Sequence, residues 1–99
     1  MQQTYKALAD PTRRKILQLL REQDMNAGKI ALHFDSAAPT ISRHLSILQN
    51  ADLIQGTKNG TSITYRLNLS VLEEAFMTML ETFKLDVGGS DEPENPSSN

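Results

Sequence analysis

Apolar residues recur at helical spacing through most of the chain and change to strict alternation in one stretch only. In residues 4–9, Tyr5, Leu8 and Ala9 share one face of a short first helix. Asp10-Pro11 restarts the helix, because Asp is a favoured N-cap and Pro is pre-set for the first helical turn. Ile16, Leu17 and Leu20 then form an apolar side that runs out near Arg21–Gln23. Asn26 is the next cap, with Met25 before it and Ile30 four positions on, placed for a hydrophobic staple; this helix spans about Ala27 to His33. Ser36 is the predicted cap of a fourth helix, about Ala37–Gln49. Pro39 falls in its first turn, and Ile41, Leu45 and Leu48 form its inward stripe.

The period changes after Leu53. Ile63, Tyr65 and Leu67 alternate with Ser62, Thr64 and Arg66, and Lys58-Asn59-Gly60 separates them from Leu53–Thr57. Asn-Gly between two such runs is the strongest short-range signal of a β-hairpin. Ser70-Val71-Leu72-Glu73 has the form of a capping box and opens a last helix with apolar residues at 69, 72, 76, 79 and 83. Val87 to Asn99 holds adjacent glycines, two Pro and three acids without periodicity, and reads as a disordered acidic tail over 87–99. The pattern predicts a mainly α chain with a β-hairpin wing, in the order α-α-α-α-β-β-α, with residues 1–86 as one domain.

Composition narrows the function. A chain of 99 residues accommodates one small domain. With no Cys there is no disulfide, thiolate metal site or Cys nucleophile, and with only two His, His33 and His44, no His-rich metal centre is expected. No apolar run approaches the length of a membrane span and the first residues show no signal-peptide core, so the expected location is the cytoplasm. The pI of 5.6 conceals an asymmetry. Residues 1–69 carry nine Lys and Arg against five acids, a net +4, whereas residues 70–99 carry Lys84 against seven acids, a net −6. A basic body suits a polyanionic partner. No phosphate-binding glycine loop and no paired acid and base mark a catalytic site, so neither an enzyme nor a cofactor is expected.

Two short helices joined by a turn and followed by a hairpin form a winged helix-turn-helix. Once Ile41, Leu45 and Leu48 turn inward, the fourth helix leaves Pro39, Thr40, Ser42, Arg43 and Ser46 outward. That small polar surface with one guanidinium fits a DNA major groove. Arg43 can fork onto guanine, Ser42 and Thr40 can reach a base edge or a phosphate, and Ala38 and Pro39 offer apolar contact. Lys58, Asn59 and Thr61 at the wing, about Thr57–Thr61, suit the flanking backbone or minor groove. The alternative is a winged helix used only for contact with another protein.

Three segments carry a family resemblance. They are Leu8-Ala9-Asp10-Pro11-Thr12-Arg13-Arg14-Lys15-Ile16-Leu17, then residues 36–48 (Ser-Ala-Ala-Pro-Thr-Ile-Ser-Arg-His-Leu-Ser-Ile-Leu), then a wing ending in Tyr65. Together they resemble the ArsR/SmtB family of bacterial transcriptional repressors over about residues 4–84, most closely its SdpR-type autorepressor branch. The resemblance implies a homodimer that reads an inverted-repeat operator and regulates its own gene. Carried onto this chain, the DNA-contacting positions are Ser36, Ala38, Pro39, Thr40, Ser42, Arg43, His44, Lys58, Asn59 and Thr61. Many members of the family sense metals through Cys in the first reading-unit helix or through Asp/His pairs on the last helix. Here Met25–Ala31 contains no ligand, and the last helix offers only Glu73, Glu74 and Glu81, a poor transition-metal set, so no metal sensing is expected.

Several residues admit two readings. His44 sits at the border between core and groove, for a phosphate contact or for packing and capping. Arg13 and Arg14 either sit on the surface or pair with acids, or else meet a phosphate. His33, beside Phe34, reads as structural, and Met77 and Met79 as packing. The last helix is broader in apolar surface than a helix lying on one small domain requires. Its stripe is spaced as a helix-helix seam. Tyr5, Leu8, Leu72, Phe76, Met79, Leu80 and Phe83 are therefore the expected dimer interface; the alternative places the whole stripe in the monomer core.

Overall fold

The computed structural model describes residues 2–84, so the tail expected over 87–99 lies outside the described residues. The chain folds as α1 (Gln2–Leu8), α2 (Pro11–Glu22), β1 (Met25–Asn26), α3 (Ala27–Ala31), α4 (Ala38–Asn50), β2 (Ile54–Asn59), β3 (Ser62–Leu67) and α5 (Leu69–Thr82). The strands form one antiparallel sheet in the order β1-β3-β2. The core gathers the inward side of the first four helices: Ala7 of α1, Ile16, Leu17 and Leu20 of α2, Ile30 of α3, and Ile41, Leu45 and Leu48 of α4. Met25, Leu53, Ile54 and Tyr65 close it from the sheet side. This is the predicted winged helix-turn-helix with one added strand. β1 is two residues long, too short for alternation to reveal, and it forms because Met25 pairs with Tyr65 and Asn26 with Thr64.

The N-terminal caps of α2 and α3 follow their sequence signals. The Asp10 carboxylate accepts the Arg13 amide at 3.0 Å, and the Asn26 side chain accepts the Lys29 amide at 2.8 Å. α4 is not capped by Ser36: its cap is Ala37, and no side chain bonds there. α5 begins at Leu69, ahead of the Ser70 box, with Asn68 as cap residue. The Asn68 side chain donates instead to the Asp52 carbonyl at 2.8 Å, and its amide donates to Leu53 O at 2.9 Å. A contact to the end of α4 therefore decides where α5 starts.

Two faces differ from the periodicity. In α1 the buried residues are Thr4 and Ala7, while Tyr5 and Leu8 are half-buried and Ala9 is exposed. α1 lies between α2, α4 and α5, and its smallest side chains take the closest approach. In α5 only Ala75 is buried, for the same reason. The stripe does not lie wholly in the monomer core: Leu72 packs against it, but Leu69 is 48 %, Phe76 57 % and Phe83 63 % exposed, with Met77 at 66 % beside them.

The wing turns one residue later than Asn-Gly suggests. Asn59 pairs with Ser62, leaving Gly60-Thr61 as a two-residue loop, and Gly60 has a φ of +63°, where a Cβ would be strained. Gly56, opposite Tyr65, is needed for space. A Cβ there would stand 2.9 Å from Ile63 Cγ2 and 3.2 Å from Tyr65 Cε1.

Candidate nucleic-acid interface

The reading unit is α3, the turn over residues 32–37, and α4. Ile41, Leu45 and Leu48 are at most 2 % exposed and hold α4 to the core. With that side fixed, Ser36, Ala38, Pro39, Thr40, Ser42, Arg43 and Ser46 are all exposed, as the helical period predicts. Pro39 lies at the start of α4, where its missing amide leaves no helical bond unmade. The far end of α4 is closed by the turn Ala51-Asp52-Leu53. There the Leu53 amide bonds to Leu48 O at 3.0 Å and the Asp52 amide to Gln49 O at 2.9 Å. Asp52 takes the left-handed conformation, φ 61°, that this termination requires. The outward face is thus presented on a helix fixed along its length and at its end. Lys58, Asn59 and Thr61 are exposed on the wing; Lys58 and Asn59 belong to β2 and only Thr61 to the loop.

A polar cluster ties α4 to α1 and α2. Arg13 donates through Nε to Ala7 O at 2.8 Å and through Nη2 to Lys6 O at 3.1 Å, and Arg14 Nη1 donates to Leu8 O at 2.8 Å. The two guanidiniums of α2 thereby satisfy the open carbonyls at the end of α1, where positive charge also meets the negative end of the helix dipole. Arg13 Nη1 lies 3.2 Å from His44 Nδ1. A guanidinium only donates, so Nδ1 accepts in this contact and the ring proton sits on Nε2. Asp10 Oδ2 is 4.0 Å from the same nitrogen. The Asp10 carboxyl is held below its ordinary range, chiefly by the Arg13 amide, against the cost of its desolvation, and further by the Arg13 charge. His44 is thus engaged with Arg13 and Asp10, the packing arrangement of its two readings, while its ring still borders the groove beside Pro39, Thr40 and Arg43.

His33 is exposed, and the neighbouring Phe34 is the half-buried residue, with the Lys15 ammonium 5.6 Å from its ring centre. Glu73, Glu74 and Glu81 are exposed on α5, and among the described residues no three His, Cys, Asp or Glu side chains gather at a point.

Comparison with known proteins settles the family. Residues 10–55 match the model of "Bacterial regulatory protein, arsR family". The chain is 49 % identical over 80 residues to the transcriptional repressor SdpR of Bacillus subtilis, a match covering 81 % of this chain and 89 % of that one. The chain belongs to the ArsR family. Another relative, the arsenical resistance operon repressor of Staphylococcus xylosus, is 37 % identical over 68 residues, covering 69 % of this chain and 65 % of its own. Among solved structures, a possible transcriptional regulator for arsenical resistance superposes with a TM-score of 0.75 at 31 % identity, covering 87 % of this chain and 88 % of that chain. An ArsR-like regulator from Rhodococcus sp. RHA1 reaches a TM-score of 0.76 at 29 % identity, covering 83 % and 75 %.

This ArsR-family chain is a DNA-binding transcriptional repressor of winged helix-turn-helix fold, in a class of regulators and not of enzymes. No helix among its described residues is long and apolar enough to cross a membrane. Sequence reasoning anticipated which side of α4 is exposed but missed the Arg13 cluster. Arg14 is exposed, as expected, and Arg13 is half-buried; the principal partners of both are backbone carbonyls of α1, which neither of their two readings includes. Only the position of two arginines just beyond the end of a predicted helix signals that role.

Proposed function

We propose that the chain represses transcription as a homodimer on an inverted-repeat operator, with α4 in the major groove and the wing on the flanking backbone or minor groove. The observation that carries the reading is the division of α4. One side is locked in the core, while the other exposes Thr40, Ser42, Arg43 and Ser46 with no apolar residue larger than Pro39 among them. Such a face can enter a groove and donate hydrogen bonds to base edges. The pairing of two copies rests on α5, whose Leu69, Phe76, Met77 and Phe83 are about half or more exposed. Leu72, Met79 and Leu80 of the same helix, with Tyr5 and Leu8 of α1, are half-buried around them. A two-fold axis through this surface buries it and places two copies of α4 in successive major grooves, ~34 Å apart.

The dimer binds without a metal. The residues of α3 and α5 are apolar, hydroxyl and thioether side chains with Lys29 and the carboxylates of Glu73, Glu74 and Glu81, which do not compose the donor set of a transition-metal sensor. The similarity to a repressor makes the DNA upstream of the protein's own gene the first operator to test. A gel shift on that DNA, titrated with salt, distinguishes this reading from a module for protein contact. A DNA reader loses affinity linearly in the logarithm of salt, with a slope of about −0.9 for each phosphate neutralised. Failure to shift its own upstream DNA or any genomic fragment at low salt refutes the proposal.

A further inference from the structure

α1 and α4 enclose an open groove of about 450 Å³, lined by Gln3, Lys6, Arg13, Arg43, Ile47 and Asn50. Three of these six residues are cations and none is a carboxylate. Gln3 and Lys6 are one helical turn apart on α1, and Arg43, Ile47 and Asn50 repeat at i, i+4, i+7 on α4, so each helix contributes one wall. Arg13 is held between them. Its three bonds, to Ala7 O, Lys6 O and His44 Nδ1, leave its charge fixed at the base of the groove. Among the described residues neither Lys6 nor Arg43 forms an ion pair. Arg13 shares its charge with the Asp10 carboxylate, whereas Lys6 and Arg43 stand uncompensated beside it, and an anion placed among them is attracted to the groove.

We propose that this groove seats a backbone phosphodiester of the bound DNA, with Lys6 as its principal ligand and the Gln3 and Asn50 amides as further donors. Arg43 is then shared between two tasks: its fork reaches toward the base edges, and its charge draws in the adjoining backbone. α1 becomes part of the DNA-binding surface, and each protomer grips the duplex at a point outside the reading helix and the wing. The proposal rests on the reading of α4 as the groove-entering helix, because the phosphate belongs to the duplex that α4 enters. DNA is the occupant chosen because the groove adjoins Pro39, Thr40 and His44 at the N-terminal end of that helix.

The test is Lys6→Ala in the full chain. Lys6 is exposed, and it is its backbone carbonyl, unaffected by the change, that accepts from Arg13. The expected result is weaker binding by the same factor on the operator and on a random duplex. The slope of log affinity against log salt should fall by about 0.9 per protomer, or ~1.8 for a dimer. Hydroxyl-radical footprinting should show one protected backbone position lost in each half-site. Lys6→Arg should restore the slope, and Lys84→Ala, which removes a charge beyond the end of α5, should leave it unchanged. A wild-type slope and footprint in Lys6→Ala overturn this inference while leaving the reading of α4 intact. If the wild-type chain binds no duplex, the reading of α4 fails first and this one with it.

Discussion

Replacing Phe76 with Ala tests the dimer at a large, half-exposed residue within α5. Phe76 stands on α5 with 57 % of its surface exposed in the single chain. A phenylalanine offers ~200 Å² for burial, so the exposed part is roughly 110 Å². At ~25 cal/mol per Å², covering it in a two-fold interface contributes up to about 3 kcal/mol per protomer. Because the same patch is used twice, the substitution should cost the dimer ~5 kcal/mol after allowing for the methyl group that remains. That corresponds to a dissociation constant raised by roughly 10³ to 10⁴. The part already buried, against Leu8, Leu17 and Leu72 in a shallow apolar groove, costs each folded chain a further ~1–2 kcal/mol. Sedimentation equilibrium over a concentration series reads the first quantity and thermal unfolding by circular dichroism the second. The reasoning predicts a wild-type dimer at micromolar concentration and a folded, monomeric Phe76→Ala. A wild-type chain that sediments at 11 kDa under those conditions, or a variant that dimerises as tightly as the wild type, refutes it.

Arg43→Ala should weaken operator binding by roughly 1–3 kcal/mol and relax preference at one base pair, whereas Lys58→Ala should weaken all duplexes alike and lower the salt slope by about one per protomer. Binding of randomised operators separates these outcomes, and neutrality of both substitutions would misplace the reading head. Asp10→Ala should cost about 1 kcal/mol of stability by removing the cap of α2. Because the Asp10 carboxyl titrates below its unfolded value, its contribution is complete above pH ~4 and lost as the pH falls through the lowered folded value. The stability gap between wild type and Asp10→Ala should therefore narrow in acid, and a gap that stays constant to pH 2 would contradict the assignment. Gly56→Ala should destabilise by ~1–3 kcal/mol, since its Cβ must displace Ile63 or the Tyr65 ring. Urea denaturation measures it, and a neutral result would show that the wing yields without cost.

Much of this fold is written locally. The spacing of Ile41, Leu45 and Leu48 determines which side of α4 is buried, and so leaves Thr40, Ser42 and Arg43 outward without reference to any distant residue. Asp10 and Asn26 bond to amides three positions ahead, so their caps are legible in a short window of sequence. The hairpin is signalled in the same way by alternation around Asn-Gly. Where sequence and structure part, a distant partner decided. The start of α5 moved because Asn68 bonds to Asp52, 16 positions back, in preference to the local Ser70 box. β1 exists because Tyr65 and Thr64 of β3 offer it an edge. Arg13 and His44 are 31 positions apart, and no periodicity brings them together. The groove of Lys6, Arg13 and Arg43 arises only when α1 is laid against α4. Backbone sterics and side-chain spacing act over one or two turns and can be read along the chain, whereas the choice among competing hydrogen-bond partners, and the gathering of like charges on one surface, depend on which helices pack together.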